Sequence, residues 1–140
     1  MALLTEMTAA QATALWSGLM VLLMVFLAAR VITSRRANRV LLGDGGSAEL
    51  ALAARVFGNA SEYIPAGIGA MVALTLLGIP GLAIHVIGGM LFLGRLIHAF
   101  SLSNRKPTIG RVVGMALTLL ALLGAGSMLV VHAFVGSPHG

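Results

Sequence analysis

Four polar side chains stand at helical spacing in Arg55-Val-Phe-Gly-Asn-Ala-Ser-Glu-Tyr-Ile-Pro65, which runs straight into an apolar segment. On a helix, Arg55, Asn59 and Glu62 fall at i, i+4 and i+7 on one face, with Tyr63 beside the stripe. Glu62 then lies roughly 10 Å deeper along the axis than Arg55. Carrying a charge into hydrocarbon costs roughly 3 kcal/mol on the mildest scale, so such a residue needs a partner or a task. One reading is an Arg55–Glu62 pair that fixes helix packing; the other is a polar binding site inside a membrane bundle. Further along, Arg95 and His98 stand one turn apart, and Arg111 follows thirteen residues after His98. Several guanidiniums with one carboxylate suit a small zwitterion, because Arg forks bind carboxylates and Glu binds an ammonium. An arginine cluster also stabilises a thiolate, lowering the pKa of a ligand thiol as it does for cysteine. A hydrophilic ligand beside greasy helix faces suits an enzyme that joins a soluble thiol to a lipophilic electrophile.

The composition restricts where such a site can be. Apolar residues make up 59% of the 140-residue chain and charged residues 9%, which excludes an ordinary soluble globular domain. The chain reads as an integral membrane protein, all-α, with one domain over residues 1–140. It has no cysteine, so neither disulfides nor thiolate metal sites are available and any thiol must come from a ligand. The formal net charge of +5 does not point to nucleic acid, since the basic residues flank apolar spans.

Four spans are expected, over about residues 8–33, 48–77, 82–102 and 108–135. Met7 to Ala29 carries no formal charge and reads as a retained first span rather than a signal peptide: Glu6 stands where a positive n-region would be, and the basic cluster comes afterwards. Trp16 in this span reads as a lipid or packing contact. Arg30-Val-Ile-Thr-Ser-Arg-Arg-Ala-Asn-Arg39 is a basic helix end, with Arg30 and Arg39 as anchors to lipid phosphates. Leu42-Gly-Asp-Gly-Gly-Ser47 reads as a plain connector, because it lacks the strand–loop–helix context of a phosphate cradle.

In the second span Pro65 should kink the helix, and Gly67 and Gly69 suit close helix contact. Gly78-Ile-Pro-Gly81 is an uncharged turn. Gly88, Gly89 and Gly94 in the third span again allow close approach, and His85 reads as a packed or interfacial histidine. Thr108 is placed to cap the fourth helix. Arg111 would then sit in its first turn, where the helix dipole disfavours a cation. His132 and His139 read as part of a solvated terminus and make a poor metal site.

Every Lys and Arg lies in or near the first and third connections: Arg30, Arg35, Arg36, Arg39, Arg55, Arg95, Arg105, Lys106 and Arg111. The positive-inside rule therefore places those connections in the cytoplasm and both termini outside.

Arg55-x-x-x-Asn59-x-x-Glu62-Tyr63-x-Pro65, with Val31-Ile-Thr-Ser-Arg-Arg-Ala-Asn-Arg-Val40 before it, resembles the MAPEG family, the membrane-associated proteins in eicosanoid and glutathione metabolism. Gly-Asp-Gly-Gly with Gly-Asn-Ala-Ser-Glu-Tyr-Ile-Pro is most similar to its small bacterial branch. The resemblance covers essentially the whole chain. It implies a homotrimer of four-helix protomers in a bacterial inner membrane, both termini periplasmic, binding glutathione between neighbours near the cytoplasmic face. By position, Arg55, Asn59, Glu62 and Tyr63 would contact glutathione, and Arg35 or Arg36 would reach it from the first helix. Arg95 joins this binding set. His98 occupies a place where members have His or Tyr. The spacing from His98 to Arg111 is similar to that of the thiol-activating arginine in the prostaglandin-E-forming members. Leu102 departs from the pattern, standing where many members have a ligand-binding tyrosine.

The function so implied is a glutathione-dependent transferase or peroxidase acting on lipophilic electrophiles, with membrane lipids around it and no nucleic-acid partner or metal. The alternatives are a non-catalytic lipid- or glutathione-binding scaffold on the same fold and, behind both, a small four-span exporter. An exporter of that kind needs an acidic residue in its first span, and none lies between Met7 and Ala29.

Overall fold

The computed structural model describes residues 7–103 and 108–135. Four helices follow one another: α1 (Ala9–Asn38), α2 (Ala48–Leu76), α3 (Gly81–Ser103) and α4 (Ile109–Val135). Arg105 and Lys106 of the second basic connection, and His139 of the tail, lie outside the described residues. His132 stands in the last turn of α4, within the expected fourth span.

The helix ends follow local chemistry. Thr8 and Gln11 form a reciprocal capping box that starts α1. The helix continues five residues past the expected boundary, through the basic segment, and stops where Arg39 turns left-handed at φ 55° and its N–H bonds back to Arg35 and Arg36. The connector turns on Gly43, Gly45 and Gly46, all at positive φ. Asp44 Oδ1 accepts from the Gly46 N–H at 3.0 Å, and Ser47 caps α2. Thr108 occupies the position before α4, and its carbonyl accepts from the Arg111 N–H. Among the described residues its buried hydroxyl has no hydrogen-bond partner, so the side chain does not cap.

The helices alternate in direction. Met7 packs against Gly81, which brings the start of α1 to the α2–α3 turn. Thr13 near that end is hydrogen-bonded to Thr75 of α2 at 2.6 Å. At the other end Arg30 of α1 donates to Ser103, the last residue of α3. Helices α2 and α3 form the inner pair. Each packs on both α1 and α4, while α1 and α4 barely meet.

Three of these helices, α1, α3 and α4, are long and apolar enough to cross a membrane. Four spans were expected. The 29-residue α2 matches the others in length but falls below them in apolarity, because Asn59, Glu62 and their neighbours lie in it. It runs without interruption through Pro65. The core is Met20, Leu50, Ile64, Met71, Leu74, Ile84 and Leu91. Val21, Leu22, Val25, Leu93, Leu119, Leu120, Leu123 and Val130 face outward, an apolar exterior that hydrocarbon, not water, would stabilise.

The glycines divide by role. Trp16 covers Gly88 and Gly89, and Leu91 covers Gly67. Close helix contact was expected of these three, and the protomer's own packing supplies it. Gly69 has nothing within 4 Å of a would-be Cβ and faces outward. Trp16 is thus a packing residue, and its Nε1 donates to Nδ1 of buried His85 at 3.0 Å.

Candidate functional site

The polar stripe of α2 does not act as one face. Arg55 and Glu62 are exposed, whereas Asn59 and Tyr63 are partly buried and turn toward α3. The reason is the helical pitch: a step of four residues overshoots one turn by about 40°, so Asn59 and Tyr63 rotate progressively inward from Arg55. Within 4.0 Å Arg55 and Glu62 form no ion pair, so the structural-pair reading of these two fails. Glu62 lies within electrostatic reach of Arg95.

Among the described residues Arg95 is the largest fully buried side chain, 1% exposed. Its Nε donates to Thr118 Oγ1 at 2.8 Å and its Nη1 to Asn59 Oδ1 at 2.7 Å. Nη2 lies 3.9 Å from Met115 Sδ, and the guanidinium carbon stands 4.9 Å from the centre of the Tyr63 ring. Thr118 Oγ1 in turn donates to the Gly114 carbonyl at 2.8 Å. A buried guanidinium is tolerable only when its donors are satisfied in this way. With its donors spent on α2 and α4, Arg95 locks three helices together and orients Asn59 and Tyr63.

This arrangement depends on close approach of α3 and α4. A Cβ on Gly94 would lie 2.9 Å from the Gly114 carbonyl, and one on Gly114 would lie 2.7 Å from the His98 nitrogen. Gly94 was legible as a contact glycine; Gly114, Met115 and Thr118 were missed. Thr118 looks like any threonine in an apolar helix, and only its position opposite Arg95 marks it.

His98 is 8% exposed and sits between Arg95 and Arg111, feeling both positive charges. Arg111 occupies the first turn of α4, as the sequence implied. Its Nε donates to the Ser101 carbonyl at 3.3 Å and its Nη2 approaches that of Leu102 at 3.5 Å. The negative end of the α3 dipole thereby offsets the unfavourable position at the start of α4.

Four members of the predicted set line two grooves. Arg55 and Arg111 line one of about 440 Å3, with Ala48, Ala51, Leu52 and Leu102 as its apolar walls. Arg35 and Arg36 line another of about 370 Å3, with Ile32, Arg39, Val40 and Leu41. Arg35 also donates to the Gly43 carbonyl at 2.9 Å, bracing the connector. The first groove holds two guanidiniums and no carboxylate, so it suits an anion at the edge of an apolar surface.

Comparison with known proteins agrees with this architecture. The profile of the MAPEG family matches residues 13–131. "Inner membrane protein YecN" of Escherichia coli strain K12 is 38% identical over 111 residues, covering 79% of this chain and 84% of that protein. The protein of the same name from Escherichia coli O6:H1 matches to the same extent. No solved structure matches the chain. A profile match from the first helix into the last, together with these relatives and the four-helix membrane fold, places the chain in the MAPEG family.

Proposed function

We propose that this protein is a glutathione-dependent transferase or peroxidase of the inner membrane, acting on lipophilic electrophiles. The observation that carries the reading is the groove shared by Arg55 and Arg111, with two guanidiniums set against the apolar surface of Ala51, Leu52 and Leu102. The exposed carboxylate of Glu62, on the same helix as Arg55, supplies a partner for the ligand's ammonium. Arg55 takes a carboxylate. Arg111 stabilises the thiolate, with His98 as the alternative activator. The thiol proton leaves to solvent, the thiolate sulfur attacks the electrophilic carbon, and the leaving group departs with the displaced electron pair. In the peroxidase variant the thiolate attacks the O–O bond of a hydroperoxide, releasing an alcohol; a second glutathione then forms the disulfide, and water leaves.

The reading includes a homotrimer. Arg55, Glu62, Ala66, Gly69 and Val72 run down one exposed face of α2, and a neighbouring protomer covering that face would bring its own Arg35 or Arg36 to the ligand. Both termini are periplasmic on this reading, since the basic connections face the cytoplasm. Leu102 in the groove wall, where many family members have a ligand-binding tyrosine, favours the second reading, a scaffold that binds glutathione or lipid without turnover. Glutathione titrated into the purified protein in mild detergent, followed by ultraviolet thiolate absorbance, separates the two. The enzyme reading expects saturable binding with thiolate formed at neutral pH. Binding without thiolate or turnover selects the scaffold, and no binding removes both glutathione readings.

A further inference from the structure

A cleft of about 610 Å3 belongs to neither groove described above. Arg30, Thr33, Ser34 and Glu49 supply its main polar lining, with Phe26 and Leu52 among its apolar residues. It lies at the end of the bundle that carries the basic connections, because Arg30 reaches Ser103 at the close of α3 and Glu49 stands in the first turn of α2. Arg30 is also the first charge after the uncharged run Met7–Ala29, which sets the cleft at the depth of the lipid headgroups.

The cleft holds one cation and one anion that are not paired. Arg30 donates only to the neutral hydroxyl of Ser103, at 3.1 Å, and the Glu49 carboxylate has no hydrogen bond or ion pair among the described residues. Three hydroxyls complete the lining: Ser34 Oγ accepts from the Asn38 amide at 3.5 Å, and the other two have spent their protons, Thr33 Oγ1 donating to the Ala29 carbonyl and Ser103 Oγ to that of Ala99, each at 2.8 Å. Toward the cleft these two present lone pairs. The inventory is therefore one guanidinium for an anion and three acceptors for N–H groups. An apolar slot between α1 and α3 adjoins it and shares Phe26 and Arg30; its other walls are Leu23, Leu27, Leu96, Ala99 and Phe100.

We propose that this cleft is a headgroup site for a zwitterionic aminophospholipid, phosphatidylethanolamine in class. The phosphate meets Arg30, the primary ammonium meets Glu49, Thr33 and Ser103, and the start of an acyl chain enters the slot beside Phe26. A choline headgroup has no N–H to give these acceptors. A glycerol headgroup carries the same phosphate but no ammonium, so it leaves Glu49 without a cation.

The test is native mass spectrometry of the full chain in mild detergent, titrated separately with phosphatidylethanolamine, phosphatidylcholine and phosphatidylglycerol of matched chains. Phosphatidylethanolamine should be retained about tenfold more tightly than the other two, as for loss of one charge-assisted hydrogen bond. Arg30→Gln should weaken all three. Glu49→Gln should abolish the preference while leaving phosphatidylglycerol bound as well or better. Thr33→Val, which changes no charge, should reduce the preference without affecting the other two lipids, and it keeps the test valid if a charge variant fails to fold. Equal retention of the three lipids, or a preference that survives Glu49→Gln and Thr33→Val, overturns the proposal. So does displacement by phosphoethanolamine or glutathione without acyl chains, which would assign the cleft to a soluble zwitterion.

Discussion

Arg95 donates to Asn59 Oδ1 across 2.7 Å inside the bundle, so the most buried charge of α3 fixes the orientation of a polar residue on α2. On the proposed function glutathione lies near Asn59 and Tyr63, and Arg95 would act on it through them.

Arg95→Leu should therefore destabilise the protein even without ligand. It leaves Asn59 Oδ1 and Thr118 Oγ1 without their donor, and each orphaned polar group costs about 1–3 kcal/mol. Thermal unfolding in detergent reads the loss. A double-mutant cycle with Asn59→Leu should give a coupling of about 0.5–3 kcal/mol. Additive effects would mean that the 2.7 Å contact carries no energy of its own.

Glu62→Gln should separate binding from folding. The carboxylate is exposed and forms no ion pair within 4.0 Å, so unfolding should be little changed. If Glu62 takes the ligand's ammonium, glutathione affinity should fall by about 2 kcal/mol or more. A variant that binds glutathione normally removes Glu62 from the site.

Arg111→Ala tests thiolate stabilisation. Glutathione affinity should stay within a few fold, the ligand thiol pKa should rise toward about 8.5, and turnover at neutral pH should drop and recover partly at high pH. His98→Ala belongs beside it, because His98 sits between Arg95 and Arg111. If Arg111→Ala loses binding and not thiolate, Arg111 clamps a carboxylate.

Glycine substitutions should sort by the side they face. Gly114→Ala places a Cβ 2.7 Å from the His98 backbone nitrogen and should cost about 1–3 kcal/mol by overpacking the α3–α4 crossing. Gly69→Leu meets open space in the protomer and should leave its folding intact. In the proposed trimer the same change should weaken assembly, as read by cross-linking and native mass spectrometry. A full-strength trimer with Gly69→Leu would move the interface off this face of α2.

Membrane orientation has its own measurement. Reporter fusions after Val135 should register in the periplasm, since the described basic residues cluster at the opposite end of the bundle. A cytoplasmic signal reverses the orientation and moves the Arg55–Arg111 groove to the other side of the membrane.

The sequence by itself determined the apolar helices, their order, and the concentration of cations at the first and third connections, because hydropathy and charge placement are properties of the chain read in one dimension. The Arg55–Asn59–Glu62–Tyr63 spacing and the family it resembles were legible for the same reason. What that spacing could not reveal is which way each member turns. Helical pitch rotates Asn59 and Tyr63 away from Arg55 and Glu62, but that this side faces inward is fixed by Arg95 of another helix, which reaches them where Gly94 and Gly114 let two backbones meet. The partnership of Arg95 with Thr118 joins residues 23 apart on different helices. The cleft that sets Arg30 opposite Glu49 likewise assembles residues from separate helices. Such pairings depend on the rotation and depth of whole helices against each other, which packing decides and local sequence does not encode.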